Sequence, residues 1–211
     1  IHVCHPGIDV PVLTDDREPG HGEAIGPHAM LIVGRLDTSQ RHKGHDQLLD
    51  ALPIVLESVP DAQLIIAGEG DDRDRLERRA GELGVASQVR FTGRLDERAL
   101  HALYEQCALF VMPSDGDGFG LVFLEAMMHG LPCVGLAGSA AAEIFEDGVS
   151  GVLVDRENIP ELATCLSGLL QDVERRQAIG RAGFERYTAE FTAERHAARF
   201  RAVLMEQLEL N

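Results

Sequence analysis

Two acids bracket a glycine bend in the stretch DGDGFGLVFLEAMMHG (115–130): Asp117 stands just ahead of Gly118-Phe119-Gly120, and Glu125 lies in the apolar run that follows. Glycines let a ligand come against the backbone. A helix over 120–129 would aim the free N–H groups of its first turn at that ligand and favour an anion such as a diphosphate. A carboxylate accepts hydrogen bonds from two vicinal hydroxyls at once, so an acid beside a bound anion suits a ribose or a hexose. The simpler alternative makes Asp117 a helix cap and Glu125 a surface acid. Phe123, Leu124, Ala126, Met127 and Met128 surround Glu125 and tell against the second half of that alternative, because a buried acid needs a partner.

A second candidate lies in GRLDTSQRHKGHDQ (34–47). Of the 19 Lys and Arg residues, Lys43 alone is a lysine. A compact ammonium between a strand and a helix is a phosphate ligand, and Arg35, just off the preceding apolar run, is a natural second contact. A solvated loop lysine is the plain alternative. Arg41 and His42 read as solvent-facing.

These residues need a scaffold that brings them together. Short apolar runs at 29–36, 62–70, 88–93, 108–114, 132–136 and 150–155 show no polar alternation, so they predict strands covered on both faces. Helix-spaced segments at 45–60, 71–84 and 96–107 alternate with them. The pattern predicts an α/β fold, a Rossmann-like doubly wound parallel sheet with helices on both faces. In such sheets ligands bind beyond the carboxyl ends of the strands. Gly34-Arg35, Gly68 to Asp71, Gly93-Arg94, Ser114 to Gly120 and Gly138-Ser139 all fall there. Beyond residue 158 the sequence reads as helices at 160–170, 172–186 and 188–209.

Bulk properties narrow the function. A net charge of −16 argues against a nucleic-acid partner engaged by the whole surface. No apolar run approaches the length needed to span a bilayer. Cys4, Cys107, Cys133 and Cys165 are scattered without metal-like spacing, which suits free thiols in a reducing cytoplasm. His42 and His45 are three apart, but no third ligand is placed near them, so no metal is expected. AGEGDD (67–72) begins like a dinucleotide fingerprint and lacks its third glycine. The opening IHVCHPGIDV has no initiator Met, and the chain reads as part of something longer.

The motifs HPGIDV, VGRL…KG, LIIAGEGDDRDRLERRAGELGV, VRFTGRL, PSDGDGFGLVFLEAMMHGLPCVG and EIFEDGVSGVLV, in this order, resemble a known family over most of the chain. It is the carboxyl-terminal domain of retaining GT-B glycosyltransferases, the group that includes sucrose and glycogen synthases and bacterial mannosyl- and glucosyltransferases. The resemblance implies transfer of a hexose from a nucleoside-diphosphate sugar, with uridine or guanosine, the bases most frequent in the family, and no metal cofactor. It implies that Arg35 and Lys43 hold the diphosphate, and that Gly118, Phe119, Gly120 and Leu121 contact sugar and phosphate. Glu125 would grip the ribose, Arg94 would meet the base, and Asp117, with Arg35 and Lys43, would act in the reaction itself. Asp117 stands where the family has Glu, one methylene shorter. Ser139-Ala140-Ala141-Ala142-Glu143 replaces the family's Gly-Gly before its P-E-I motif.

The same resemblance divides the chain into an interdomain hinge (1–28), a donor-binding domain (29–187) and a terminal helix (188–211) packing toward an N-terminal domain absent from the chain. The acceptor stays unidentified, and the fragment is expected to bind donor without turning it over. The expected location is cytoplasmic, with peripheral membrane association of the full-length protein compatible with it. A nucleotide-sugar epimerase and a non-catalytic binding module are the competing readings.

Overall fold

The computed structural model describes residues 4–9, 25–155 and 157–209. Six parallel strands form one sheet: β1 (Ala29–Val33), β2 (Gln63–Ala67), β3 (Val89–Gly93), β4 (Leu109–Met112), β5 (Cys133–Leu136) and β6 (Val152–Val154). Their order is β3-β2-β1-β4-β5-β6. All six runs expected as strands are strands, and β1, β2 and β4 are almost wholly buried, as continuous apolar runs require.

Helices α1 (His45–Ser58), α2 (Arg73–Glu82), α3 (Glu97–Gln106), α4 (Leu121–Met128), α5 (Ala141–Ile144), α6 (Ile159–Gln171), α7 (Val173–Glu190) and α8 (Ala193–Glu209) complete the chain. α1 packs on α2 and α6, while α4 packs on α5 and α7. α1 runs through Pro53; the backbone hydrogen bond lost there is outweighed by burial of Leu48, Leu49, Leu52 and Val55. The short α5 and the 3-10 turn at Thr38–Lys43 were not expected from the sequence.

An aromatic row fills the layer under α3, α4 and α5. Tyr104, Phe110, Phe123 and Phe145 follow one another with ring centroids 5.9, 5.4 and 5.4 Å apart. These contacts fix α4 over β4 and β5, and so fix the glycine bend that precedes it.

Strand order puts β1 beside β4, with Met30 paired to Leu109 and Leu31 to Phe110. β1 continues into a helix that returns to β2 on one side, and β4 into one that returns to β5 on the other. The loops after β1 and β4 therefore start from the switch point of the sheet, the place at which sheets of this kind offer a crevice to ligands. They are the loops that carry Lys43 and Asp117.

Gly120, not Asp117, is the N-cap of α4, with φ of 85° and no side-chain cap. A Cβ there would also stand 2.8 Å from Phe123 Cδ2. Gly120→Ala should therefore cost about 1–2 kcal/mol in a urea unfolding curve, through the left-handed backbone as much as the contact.

The expected hinge at 1–28 falls mostly on residues 10–24, outside the described residues. Residues 4–9 are held against the α7–α8 junction. Ile8 donates its N–H to Phe191 O at 2.9 Å, Tyr187 donates its hydroxyl to Ile8 O at 2.9 Å, and Ala193 donates its N–H to Asp9 Oδ1 at 3.0 Å.

Candidate functional site at the β1/β4 crevice

Lys43 and Asp117 meet over the crevice. Lys43 Nζ donates to Asp117 Oδ1 at 2.6 Å, and the two side chains are only 12% and 19% exposed. The loops around them interlock: Asp115 donates its N–H to His42 O at 3.3 Å, and Gly44 lies where a Cβ would strike the Pro113 ring at 2.6 Å. Burial pushes the Asp117 carboxyl up, but the hydrogen bond and charge of Lys43, together with the nearby Ser114 hydroxyl and His42, outweigh it and hold the group below its ordinary value. Asp117 Oδ2 is enclosed without a hydrogen-bond partner among the described residues. The carboxylate thus faces the ammonium rather than open space.

His45 begins α1 directly after Gly44 and is 3% exposed. Burial, helped by the charge of Lys43, lowers its pKa to about 4, so the ring is neutral near pH 7.

A fixed frame holds the Lys43 loop. Asp72, with its side chain 4% exposed, accepts from Arg41 Nη2 at 2.7 Å and from Arg75 Nη2 at 2.6 Å. Its backbone N–H donates to Leu36 O at 2.7 Å, and Asp71 Oδ1 accepts from Thr38 N at 2.7 Å. Arg41 was expected to face solvent. Its side chain is half exposed, yet its guanidinium is committed to Asp72 in a two-point contact. His42 lies against Gly116, where a Cβ would stand 2.6 Å from its ring, so it is not simply solvent-facing either.

Beside the crevice is a cleft of about 600 Å³ lined by Gly34, Arg35, Glu69, Arg94, Leu95 and Leu100, among others. Arg35 and Arg94 thus share one cavity. Arg35 is 72% exposed and lies 3.5 Å from Asp37. Lys43 borders this cleft: its stem crosses Gly34 so closely that a Cβ there would be 2.8 Å from Lys43 Cδ. A lining that combines Arg35 and Arg94 with apolar Leu95 and Leu100 suits a ligand with a charged part and a flat apolar part.

The glycine bend is open at Gly118, where a Cβ would meet nothing within 4 Å. Phe119 packs beside His5, with ring centroids 5.4 Å apart, and Leu121 is exposed at the start of α4. Glu125 is half-buried and does have a partner: it accepts from the Tyr104 hydroxyl at 2.8 Å. Sequence reasoning missed Tyr104 and Asp72, and weighed His45 only as a metal ligand. Only Asp72, in the acid-and-arginine run 71–79, carried a visible signal.

Among the described residues no three His, Cys, Asp or Glu side chains group as a metal site needs, and no helix is long and apolar enough to cross a membrane.

The sequence matches the model of the family Glycosyl transferases group 1 over residues 14–186. It is 37% identical, over 84% of its length, to a GDP-mannose-dependent alpha-(1-6)-phosphatidylinositol monomannoside mannosyltransferase of Mycolicibacterium smegmatis, covering 49% of that protein. The chain spans about half the length of the curated relatives it matches. Its fold matches the C-terminal domain of a glycosyl transferase group 1 family protein from Francisella tularensis, with a TM-score of 0.71 and 26% identity, over 80% of this chain and 88% of that one. Anabaena HepE, solved in complex with UDP, shares the fold with a TM-score of 0.76 at 24% identity, over 85% of this chain and 49% of that one. The architecture is that of GT-B glycosyltransferases, and the chain belongs to the glycosyl transferases group 1 family.

Proposed function

We propose that the chain is the donor-binding half of a retaining glycosyltransferase that moves a hexose from a nucleoside-diphosphate sugar to an acceptor held elsewhere in a longer protein. The observation that carries this reading is the meeting of Lys43 and Asp117 over the β1/β4 crevice, at the start of α4 and beside the cleft of Arg35 and Arg94. The diphosphate would lie against Lys43, Arg35 and the first turn of α4, with Gly118, Phe119, Gly120 and Leu121 along its path. The base would enter the cleft toward Arg94, and Glu125 would take the ribose hydroxyls.

As the sugar departs through an oxocarbenium-like transition state, negative charge grows on the diphosphate. Lys43 once released from Asp117, Arg35 and the first turn of α4 would stabilise it, and with these the chemistry would not call for a metal. Asp117 would meet a sugar hydroxyl after leaving Lys43. The guanosine and mannose of the mycobacterial relative are the first donor to try, and the phosphatidylinositol monomannoside in that relative's name makes peripheral contact with a membrane a reasonable setting for the whole protein. The net charge of −16 weighs against this half touching an anionic surface itself.

Residues 29–187 form the donor domain in this reading. α8, whose Phe200, Leu204 and Leu208 are 52%, 47% and 71% exposed at a spacing of four, turns that stripe toward the other half. Calorimetry with guanosine, uridine and adenosine diphosphates tests the proposal. One base should bind at least tenfold tighter than the others, and binding without selectivity sinks it.

One observation favours a second reading, a non-catalytic binding module: Asp117 is turned onto Lys43 and enclosed. Transfer by the full-length protein from the donor of the selected base separates the two, since a module would bind that donor and transfer nothing.

A further inference from the structure

We propose that Tyr104 is a positioning residue for the donor site, holding the Glu125 carboxylate in the orientation that grips the pentose; this rests on the function proposed above. A glutamate on a helix has three rotatable bonds, and gripping two vicinal hydroxyls requires one orientation of its carboxylate plane. Something must select it. Tyr104 does so with its hydroxyl, which donates to Glu125 Oε2 at 2.8 Å and leaves Oε1 for a ligand.

The tyrosine is itself immobile. It is 1% exposed, its ring lies 5.9 Å from Phe110, and it stacks on His129 with centroids 5.6 Å apart and planes 10° apart. His129 is in turn fixed by His101, the two imidazoles lying 2.6 Å apart, so that one donates and the other accepts. Burial, followed by the negative charge of Glu125, raises the Tyr104 pKa well above its ordinary value, so the hydroxyl keeps its proton and remains a donor.

α3 links this contact to the cleft. Leu100 lines the cavity, and Tyr104, one turn further along the same helix face, reaches Glu125. The helix that walls the base pocket therefore also sets the acid that would hold the adjoining sugar. Tyr104 does not touch the ligand.

The test measures binding of guanosine and uridine diphosphates, and of the matching dideoxyribose analogues that lack both pentose hydroxyls, to the chain and to Tyr104→Phe. Phenylalanine keeps the ring and its stacking. The expected result is an affinity for the ribonucleotide about fivefold to tenfold lower in the variant, with the analogue bound equally by both proteins. An equal loss for ribonucleotide and analogue would show a merely structural ring and overturn the proposal. Equal binding of both ligands by the unaltered chain would overturn it too, by removing Glu125 from the pentose. No nucleotide binding at all would overturn it together with the proposed function.

Should Tyr104→Phe not fold, fluorotyrosine incorporation gives the same answer. The chain has two tyrosines, so two fluorine resonances are expected, assigned with Tyr187→Phe. The Tyr104 signal should shift on adding the ribonucleotide and stay in place with the analogue. A signal that ignores both ligands, or follows both alike, refutes the proposal.

Discussion

Lys43→Met should lower nucleoside-diphosphate affinity by about 100-fold, the loss of a charge-assisted contact worth roughly 2–3 kcal/mol. The same substitution should also destabilise the fold. Asp117 would keep its charge in a site where its side chain is 19% exposed, its Oδ2 already has no partner, and its Oδ1 would lose the one it has. Stranding one member of such a pair costs about 3 kcal/mol. Affinity and stability can be pulled apart with the double variant Lys43→Met/Asp117→Asn. With neither charge left, most of the stability should return, while binding should stay lost. Urea unfolding and calorimetry on the two single variants and the double complete the cycle. Recovery of binding in the double variant would mean that Lys43 matters only as the counter-ion of Asp117.

Asp72→Ala should cost about 3 kcal/mol, because one buried carboxylate organises two guanidinium groups from different elements. Nucleotide affinity should fall with it, since the Thr38–Lys43 turn loses its Arg41 anchor. The pH dependence has a definite sign. The hydrogen bond from Arg75 is the largest influence on Asp72; with Arg41 it outweighs the opposing effect of burial and depresses the pKa to about 2. The unfolded chain then binds the proton more readily, so this stabilisation is complete above the ordinary value of 3.8 and lost as pH falls toward 2.

His45 acts in a higher window. Its folded pKa of about 4 lies below the ordinary 6.5, so the unfolded state gains its proton first and stability falls from pH 6.5 down to about 4, then levels. Urea midpoints measured from pH 7 to pH 2 should show both steps. Asp72→Asn should shrink the lower one, to which Asp117 also contributes, and His45→Phe the upper, to which His129, also lowered by burial, contributes. A single step unaffected by either change would contradict the assignment.

The strands were legible because each is a short apolar run, and β2 and β4 read almost letter for letter from LIIA and LFVM. Lys43 stood out as the single lysine, and Glu125 as an acid among apolar neighbours. What the sequence could not supply was adjacency. Lys43 and Asp117 are 74 residues apart, and nothing local says that β1 lies beside β4. Arg41 and Asp72 are 31 apart and sit on separate loops, so Arg41 resembled any solvated arginine. Tyr104 read as an ordinary residue of an amphipathic helix, because the acid it serves arrives from a later helix. Asp117 was open to reading as a helix cap; the left-handed turn at Gly120 took that place, a matter of backbone sign that composition does not reveal. Apart from the short α5 and the Thr38–Lys43 turn, pair interactions between distant loops rather than element types were the unreadable part.

The clasp joining residues 4–9 to the α7–α8 junction ties the start of the chain to a segment near its end, with Ile8 bound by both Tyr187 and Phe191. Tension applied to either end would load this knot before it reached the sheet. Trimming the chain after Thr188 would untie its beginning as well, removing the acceptor at Phe191 and the donor at Ala193 in one cut. His5 would lose its hold beside Phe119, so the rim of the glycine bend would register damage made at the opposite terminus.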